Sequence, residues 1–272
     1  MNLTIILPCA SDDGFDDCLG SIDEDVEVVA VLNRPSQRLR ERVLARDVTV
    51  VEIAERNLGA ACQAGCVAAS NDHVILMNTD SVFEPGAIRK MVEDWSYDTV
   101  VRATLRFAGR GLGTRVIENL QTHHLSHPDR AYQPGLLFHR GLVDQIGGYF
   151  FDEDIHWTED ADFDRRVRSA GIGVVVSSAI VQHGKVTVLQ KLRSAFRYGV
   201  GRAIAELKGL HGTYPHFRPS VAFTLGDWDL LRRRYGRATS VYNVFWTIAF
   251  SCGVLAQRHL DVYRINRRLA VR

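Results

Sequence analysis

The sequence predicts an α/β fold, a mainly parallel sheet flanked by helices and followed by a helical tail. Three observations carry that expectation. Short β-rich apolar runs alternate with helix-patterned segments up to residue 105, the signature of βαβ units. Several of these runs stop at a polar side chain, at Asn33, at Asn78-Thr79-Asp80 and at His183. The charge is also divided: residues 185–272 hold 16 Lys/Arg against 4 Asp/Glu, a net +12, whereas residues 1–184 carry a net −11. An acidic α/β body, 1–184, and a basic helical extension, 185–272, follow from these.

Residues 2–8 (NLTIILP) form a β-rich run closed by Pro8, and turn residues follow at Ser11 to Gly14. Residues 26–32 form a second run, ended by Asn33-Arg34-Pro35. A helix over 36–45 is predicted by Leu39 and Val43 at i, i+4 spacing. Residues 48–53 form a third strand. Asn57 then caps a helix of small residues, Ala60 to Ala69, suited to lying close against a sheet. Residues 73–77 form the fourth strand. Pro85 opens a helix whose apolar face is Ile88, Met91, Val92 and Trp95. Residues 99–105 form the fifth strand. The alternation stops at 106–134, which is rich in Gly, His and Arg and reads as a loop or short helix over the sheet's mouth. A short apolar run follows at 135–138, and Gly147-Gly148 marks a turn. Thr158 to Asp162 opens an acidic-first helix that Gly171 ends, followed by a strand over 173–182.

Composition narrows the class. Hydrophobic residues at 46% and charged residues at 24% are ordinary for a water-soluble globule. The five cysteines are odd in number and scattered, without metal-finger spacing, and the apolar run at 3–7 is too short for a secretory leader. Reduced thiols in a cytoplasm, with contact at the inner membrane face open, are the expectation. The basic tail points to an anionic partner, a phosphate or a lipid surface; no nucleic-acid partner is expected.

The chemistry gathers at the strand ends. In open α/β sheets ligands bind at the carboxyl ends of the strands, and a hard cation bridging phosphates needs only one or two carboxylates there. Asp80 is placed to hold such a cation, with Asn78 beside it. Pro8-Cys9, Asn33 and His183 are expected to line the same crevice if their strands are parallel neighbours. Asn57-Leu58-Gly59, at a helix start, can offer backbone N–H groups to a phosphate. The acidic cluster Glu159 to Asp162 can come over that crevice.

The ordered set TIILPC, VVAVLN, RNLGAACQAG, ILMNTDSVFEPGAI, GLLFHRG, IGGYFFDED and TEDADFDRRVRSAGIGVVVSSAIVQHG resembles the family 2 inverting glycosyltransferases of the GT-A fold. The resemblance covers residues 1–184 and implies a Rossmann-like catalytic domain that binds a nucleotide sugar across the strand ends. It implies that Asp80 is the last Asp of a DxD-like motif and binds Mg²⁺ or Mn²⁺. Asn78 stands where the first Asp would be, which lowers the charge offered to the cation. His183 would complete the metal or diphosphate site, and Asn33 would pair with the nucleobase, with uridine, thymidine and guanosine donors all open. Asp160 would be the general base, with Glu159 beside it. Direct displacement with base and leaving group on opposite faces implies inversion. Lys191 and Arg193 could reach the diphosphate. The match to the QxxRW signature of processive synthases is loose and lacks its Trp, so one-step transfer is expected. Trp157, Asp162, His123 and His124, with His127, are candidates for the acceptor, whether small molecule, glycan or lipid-linked; holding the loop is the alternative role for Asp162. Asp164 and Arg168 read as a surface i, i+4 pair.

Two other readings remain beside it. A sugar nucleotidyltransferase would normally carry a basic phosphate loop after the first strand, whereas Cys9 to Gly14 has no Lys or Arg. A nucleotide-sugar-binding protein without turnover is motivated by Asn78. In the tail, the 16 uncharged residues Val241 to Ala256 fall short of the ~20 that span a bilayer. Packing in the core or in a homodimer ranks first, peripheral membrane contact second and a span last.

Overall fold

The computed structural model describes residues 2–11, 14–54, 56–125, 129–210 and 221–270, with backbone alone for 221–226 and 261–270. It divides into two compact units: residues 1–109 with 125–185, and residues 110–124 with 186–272.

The first unit is built on an eight-stranded sheet: β1 (Leu3–Cys9), β2 (Glu27–Asn33), β3 (Thr49–Ile53), β4 (His73–Leu76), β5 (Ser81–Phe83), β6 (Thr99–Phe107), β7 (Leu136–His139) and β8 (Gly173–His183). Their order across the sheet is β3-β2-β1-β4-β7-β6-β8-β5. The β3-β2-β1-β4 half and the β6–β8 pair are parallel; β7 runs antiparallel to both its neighbours, and β5 antiparallel to β8. The predicted strands are present within a residue or two, and β1 is buried at every position, as a central parallel strand must be.

Helices α1 (Phe15–Gly20), α2 (Gln37–Leu44), α3 (Leu58–Ala68), α4 (Ala87–Glu93) and α6 (Glu159–Ser169) complete this unit. Two apolar layers hold them. One joins Leu3, Ile5, Leu7, Phe15, Leu39, Ile88 and Met91; the other joins Ile6, Val29, Cys62, Leu136, Phe138, Phe151 and Phe163. The small residues of α3 have the expected use: a Cβ on Gly65 would sit 2.3 Å from the Ile6 side chain.

The region 106–134 differs from its expectation. It contains a 14-residue helix, α5 (Leu112–Leu125), most of which belongs to the second unit. Val116, Ile117 and Leu120 are its buried face. The other helices of that unit are α7 (Val188–Leu207), α8 (Val221–Tyr235) and α9 (Arg237–Ala270). Helix α7 begins with a capping box between Thr187 and Gln190. It packs on α9 backbone to backbone: a Cβ on Gly199 would lie 2.0 Å from the Phe250 carbonyl oxygen, and one on Gly253 1.9 Å from that of Phe196.

Candidate active site

After Leu76 the chain leaves the sheet at its carboxyl edge. Met77 donates its N–H to the Ile6 carbonyl (3.0 Å), and a tight turn follows in which Ser81 donates to Asn78 O (3.1 Å). Gly14 (φ +79°) lies against this turn, and any Cβ there would sit 2.3 Å from Thr79 O. Only glycine gives both that backbone angle and that approach.

The turn explains how Asp80 meets His183. Strand β8 is three places from β4 in the sheet, so the two are not parallel neighbours, as the sequence reading supposed. Instead, the chain crosses over and adds β5 as an edge strand, with Ser81 paired to His183. Gly184 donates its N–H to Asp80 O (2.7 Å). The Asp80 carboxylate accepts from Ser81 Oγ (3.1 Å) and stands 3.4 Å from His183 Nε2. The Asp80 side chain is 55% exposed and that of His183 only 12%.

The His183 ring stacks on Phe107, and its Nδ1 lies 3.1 Å from Gly184 O. A carbonyl can only accept, so Nδ1 carries the proton. In the neutral ring, Nε2 then turns its lone pair toward the Asp80 carboxylate. Two acceptors 3.4 Å apart need a proton or a cation between them. An imidazole that donates its other N–H to a backbone carbonyl is also the usual arrangement of a metal-ligating histidine. One carboxylate and one imidazole suit a cation that takes its other ligands from phosphates and water. Among the described residues no group of three or more His, Cys, Asp or Glu is gathered around a metal position.

The second carboxylate group lies at the start of α6. Thr158, which precedes it, has φ 89° and ψ 17°, is buried, and has no hydrogen bond to its Oγ1. A β-branched residue in this conformation is strained by about 1–3 kcal/mol and persists only where its surroundings impose it. Glu159 is 3% exposed; its Oε1 accepts from Gln133 Nε2 (3.3 Å) and its Oε2 is buried without a hydrogen bond. Burial, and next the charge of Asp160, push the Glu159 carboxyl well above the usual carboxylate range. Asp160 is half-buried. Loss of water around it drives its pKa up to about 7, against the pull of N–H groups from Ala161, Gln133 and its own residue.

Gln133 ties this group to the Asp80 turn. Its backbone N–H faces the Asp160 carboxylate, and its side chain lies between Glu159 and Cys62 Sγ (3.5 Å). Two residues on, Gly135 N–H donates to Leu76 O (2.9 Å), where β4 and β7 pair with Leu76 opposite Leu136. Two hydrogen bonds and the short stretch Gln133 to Gly135 thus link Asp160 to the carboxyl end of β4, where the Asp80 turn starts.

Helix α3 holds the loop that leads into α6. Gln63 Oε1 accepts the N–H groups of Phe150 (2.9 Å) and Phe151 (3.0 Å). The Asn57 side chain caps α3 through Ala60 N–H (3.1 Å) and donates to Glu153 O. A Cβ on Gly59 would fall 2.4 Å from Asp152 O and 2.6 Å from Ile155 O. Asn57 gives its own N–H to Asn33 Oδ1 (2.8 Å). Asn33 is itself buried at the end of β2, and Pro8 and Cys9 are buried at the end of β1. Burial also raises the Cys9 thiol far above its ordinary range.

One acidic residue of α6 differs from the sequence reading, and a second takes one of its two expected roles. Asp164 is not on the surface; it is fully buried, accepting from Arg130 (3.0 Å) and the Ala131 N–H (3.0 Å) as well as Arg168 (2.7 Å). Asp162, also fully buried, pairs with Arg165 (2.9 Å) and Arg166 (2.7 Å) and so holds the loop rather than meeting a ligand. Arg166 donates to the carbonyls of Ile146 (3.0 Å) and Tyr149 (2.6 Å) and lies 4.0 Å from the Tyr149 ring centroid. Trp157 is half-buried just ahead of the carboxylate pair.

Four candidates fall in the second unit. Lys191 and Arg193 are on α7. His123 lies 3.8 Å from Asp227, and His124 packs edge-on against Trp246 (5.1 Å). His127 lies outside the described residues.

The model of the glycosyl transferase family 2 matches residues 13–160, from before α1 to Asp160 itself. The chain belongs to glycosyl transferase family 2. Its fold is also that of solved glycosyltransferases. S. aureus TarS 1–349, in complex with UDP-GlcNAc, is 13% identical over 95% of this chain and 92% of its own, with a TM-score of 0.51. Glucosyl-3-phosphoglycerate synthase from Mycobacterium tuberculosis, in complex with Mn²⁺, UDP and glucosyl-3-phosphoglycerate, is 16% identical over 74% of this chain and 77% of its own, with a TM-score of 0.50. A longer TarS chain is 14% identical over 75% of this chain but only 39% of its own, with a TM-score of 0.48. No curated protein sequence matches the chain. As a family 2 member with this fold, the protein is a glycosyltransferase.

Proposed function

We propose that this glycosyltransferase moves one sugar at a time from a nucleoside-diphosphate sugar to an acceptor hydroxyl or amine, with inversion at the anomeric carbon. The observation that carries the reading is the Gln133 link, which joins Asp160 to the carboxyl end of β4, where the turn bearing Asp80 begins. Asp80 and His183 would hold a Mg²⁺ or Mn²⁺ ion, which supplies neutralising charge to the departing diphosphate. Asn78 sits at the start of the same turn and offers an amide where a second carboxylate would bind the ion more tightly. Asn33, buried at the end of β2 with its Oδ1 holding the Asn57 N–H, would have only its amide N–H left to offer a nucleobase. Asp160 accepts the acceptor's proton as its oxygen or nitrogen attacks the anomeric carbon; a base with a pKa near neutrality is best matched to that task. Glu159, held protonated, adds no second charge to oppose it. Asn57, Gly59 and Gln63 act on the base by clamping the loop that ends in Thr158, rather than on the phosphates.

Support for a nucleotide donor comes from the solved relatives, one carrying UDP-GlcNAc and one UDP with Mn²⁺. A thermal-shift screen of nucleoside diphosphates and nucleotide sugars, with and without Mn²⁺, tests the donor class. One selective stabiliser at a hundredfold excess over its Kd should add about 2.7 kcal/mol. Stabilisation by none would contradict it.

A further inference from the structure

Helix α9 is apolar on two faces, and the second unit covers only one of them. Tyr242, Trp246, Phe250 and Val254 are buried; Phe250 and Val254 lie against Gly199 of α7, and Trp246 against His124 of α5. Between them Val241 (43% exposed), Phe245 (56%), Ile248 (53%) and Leu255 (65%) face out, with exposed Cys252 in line. Their spacing of i, i+4, i+7, i+11 and i+14 makes one straight stripe, about 21 Å long at 1.5 Å per residue. By length and composition Arg237–Leu260 is apolar enough to cross a membrane; its most apolar 18-residue window has a mean hydropathy of 1.3 and is 44% buried.

Charge identifies what covers the stripe. No charged residue lies between Arg237 and Arg258. Arg232, Arg233 and Arg234, all exposed, close α8 just before it, and Arg264, Arg267 and Arg268 follow on the last turns of α9. Residues 185–272 carry a net +12. A second copy would bring like charge against like. A transmembrane placement would carry α7, with Lys191, Arg193, Arg197 and Arg202, into hydrocarbon alongside the buried face of α9. An apolar stripe flanked by arginines fits a helix lying in the headgroup region of an anionic bilayer.

We propose that the Val241–Leu255 face of α9 docks on an anionic lipid surface. The test is vesicle flotation of the full chain, comparing phosphatidylcholine vesicles with vesicles that also contain phosphatidylglycerol, at low and high salt. The wild type should float with the anionic vesicles only, and less at high salt. Phe245→Asp with Ile248→Asp should lower partitioning by at least about tenfold. Neutralising Arg232, Arg233 and Arg234 to Gln should lower it by up to about fivefold per charge. All five positions are solvent-facing, so the melting temperature should hold; Leu255→Ser serves as a milder stripe variant if it does not. Failure of the wild type to float, or flotation unchanged by the stripe variants, overturns the proposal. So does a dimer seen by light scattering that the stripe variants dissociate while no vesicle binding occurs, since the occupant is then a second copy.

Discussion

The two carboxylate sites of the first unit differ in how much water they keep. Asp80 stands on a turn with more than half its side chain exposed, and its fixed point is its backbone, held by Gly184. Glu159 and Asp160 sit at a strained helix start, wedged between Gln133, Cys62 and the loop that α3 clamps. The contrast matches two chemical demands. A carboxylate that holds a cation must stay ionised and accessible. One that takes a proton from a neutral nucleophile works best when drying has brought its affinity for protons close to the ambient value. On the proposed reading one fold would serve both, because β5 brings Asp80 beside His183 at the edge strand, while Gln133 ties Asp160 to the carboxyl end of β4.

The contrast can be broken most strongly from behind the dry site. Asp164→Ala leaves Arg130 buried and unpaired and should cost about 3–5 kcal/mol of stability; a melting curve that barely moves would show that the α6 cluster is not what holds the dry site. Next in size, Asp80→Asn should weaken Mn²⁺-dependent donor binding by about 10–100-fold while leaving the melting temperature of the unliganded protein unchanged, because an exposed turn carries little stability. Calorimetric titration of the donor with and without Mn²⁺ checks this. Gly59→Ala should then separate clamp from chemistry. Its Cβ would meet two backbone oxygens of the 152–155 loop, so kcat should fall by roughly tenfold or more for each 1.4 kcal/mol of misplacement, with donor affinity unchanged.

The smallest effect belongs to Glu159. Its carboxyl titrates higher in the folded than in the unfolded chain, so it is the unfolded state that releases the proton first as pH rises. Its contribution to stability is therefore largest below the unfolded value and declines as pH climbs toward the folded one. Glu159→Gln should flatten the fall in melting temperature as pH rises above the unfolded carboxylate range, with transfer activity changed only a few-fold.

The sequence carried the strands and their polar ends, because apolar runs closed by Asn, Asp or His mark both. It did not carry β5, which is three residues long and has no periodicity of its own. That omission is why His183 was expected on a parallel neighbour of β4 rather than across an antiparallel edge pair. The i, i+4 contact of Asp164 with Arg168 was legible and present, yet it misled, since Arg130, 34 residues upstream, is what buries the carboxylate. The clamp by Asn57, Gly59 and Gln63 was illegible for the same reason: its partners are backbone atoms about a hundred residues away, and nothing in α3's own pattern names them. Helix α5 did leave a trace in Val116, Ile117 and Leu120, masked by the surrounding Gly, His and Arg.

The most direct test is the pH dependence of transfer in wild type and Asp160→Asn, measured alongside donor affinity. The wild type should gain activity as pH rises through about 7, as Asp160 ionises. The variant should bind donor within about twofold of wild type and lose about 10²–10⁴ in kcat, with the pH step gone. Transfer by Asp160→Asn at near wild-type rate, with the step intact, would contradict the assignment of the dry carboxylate as the base.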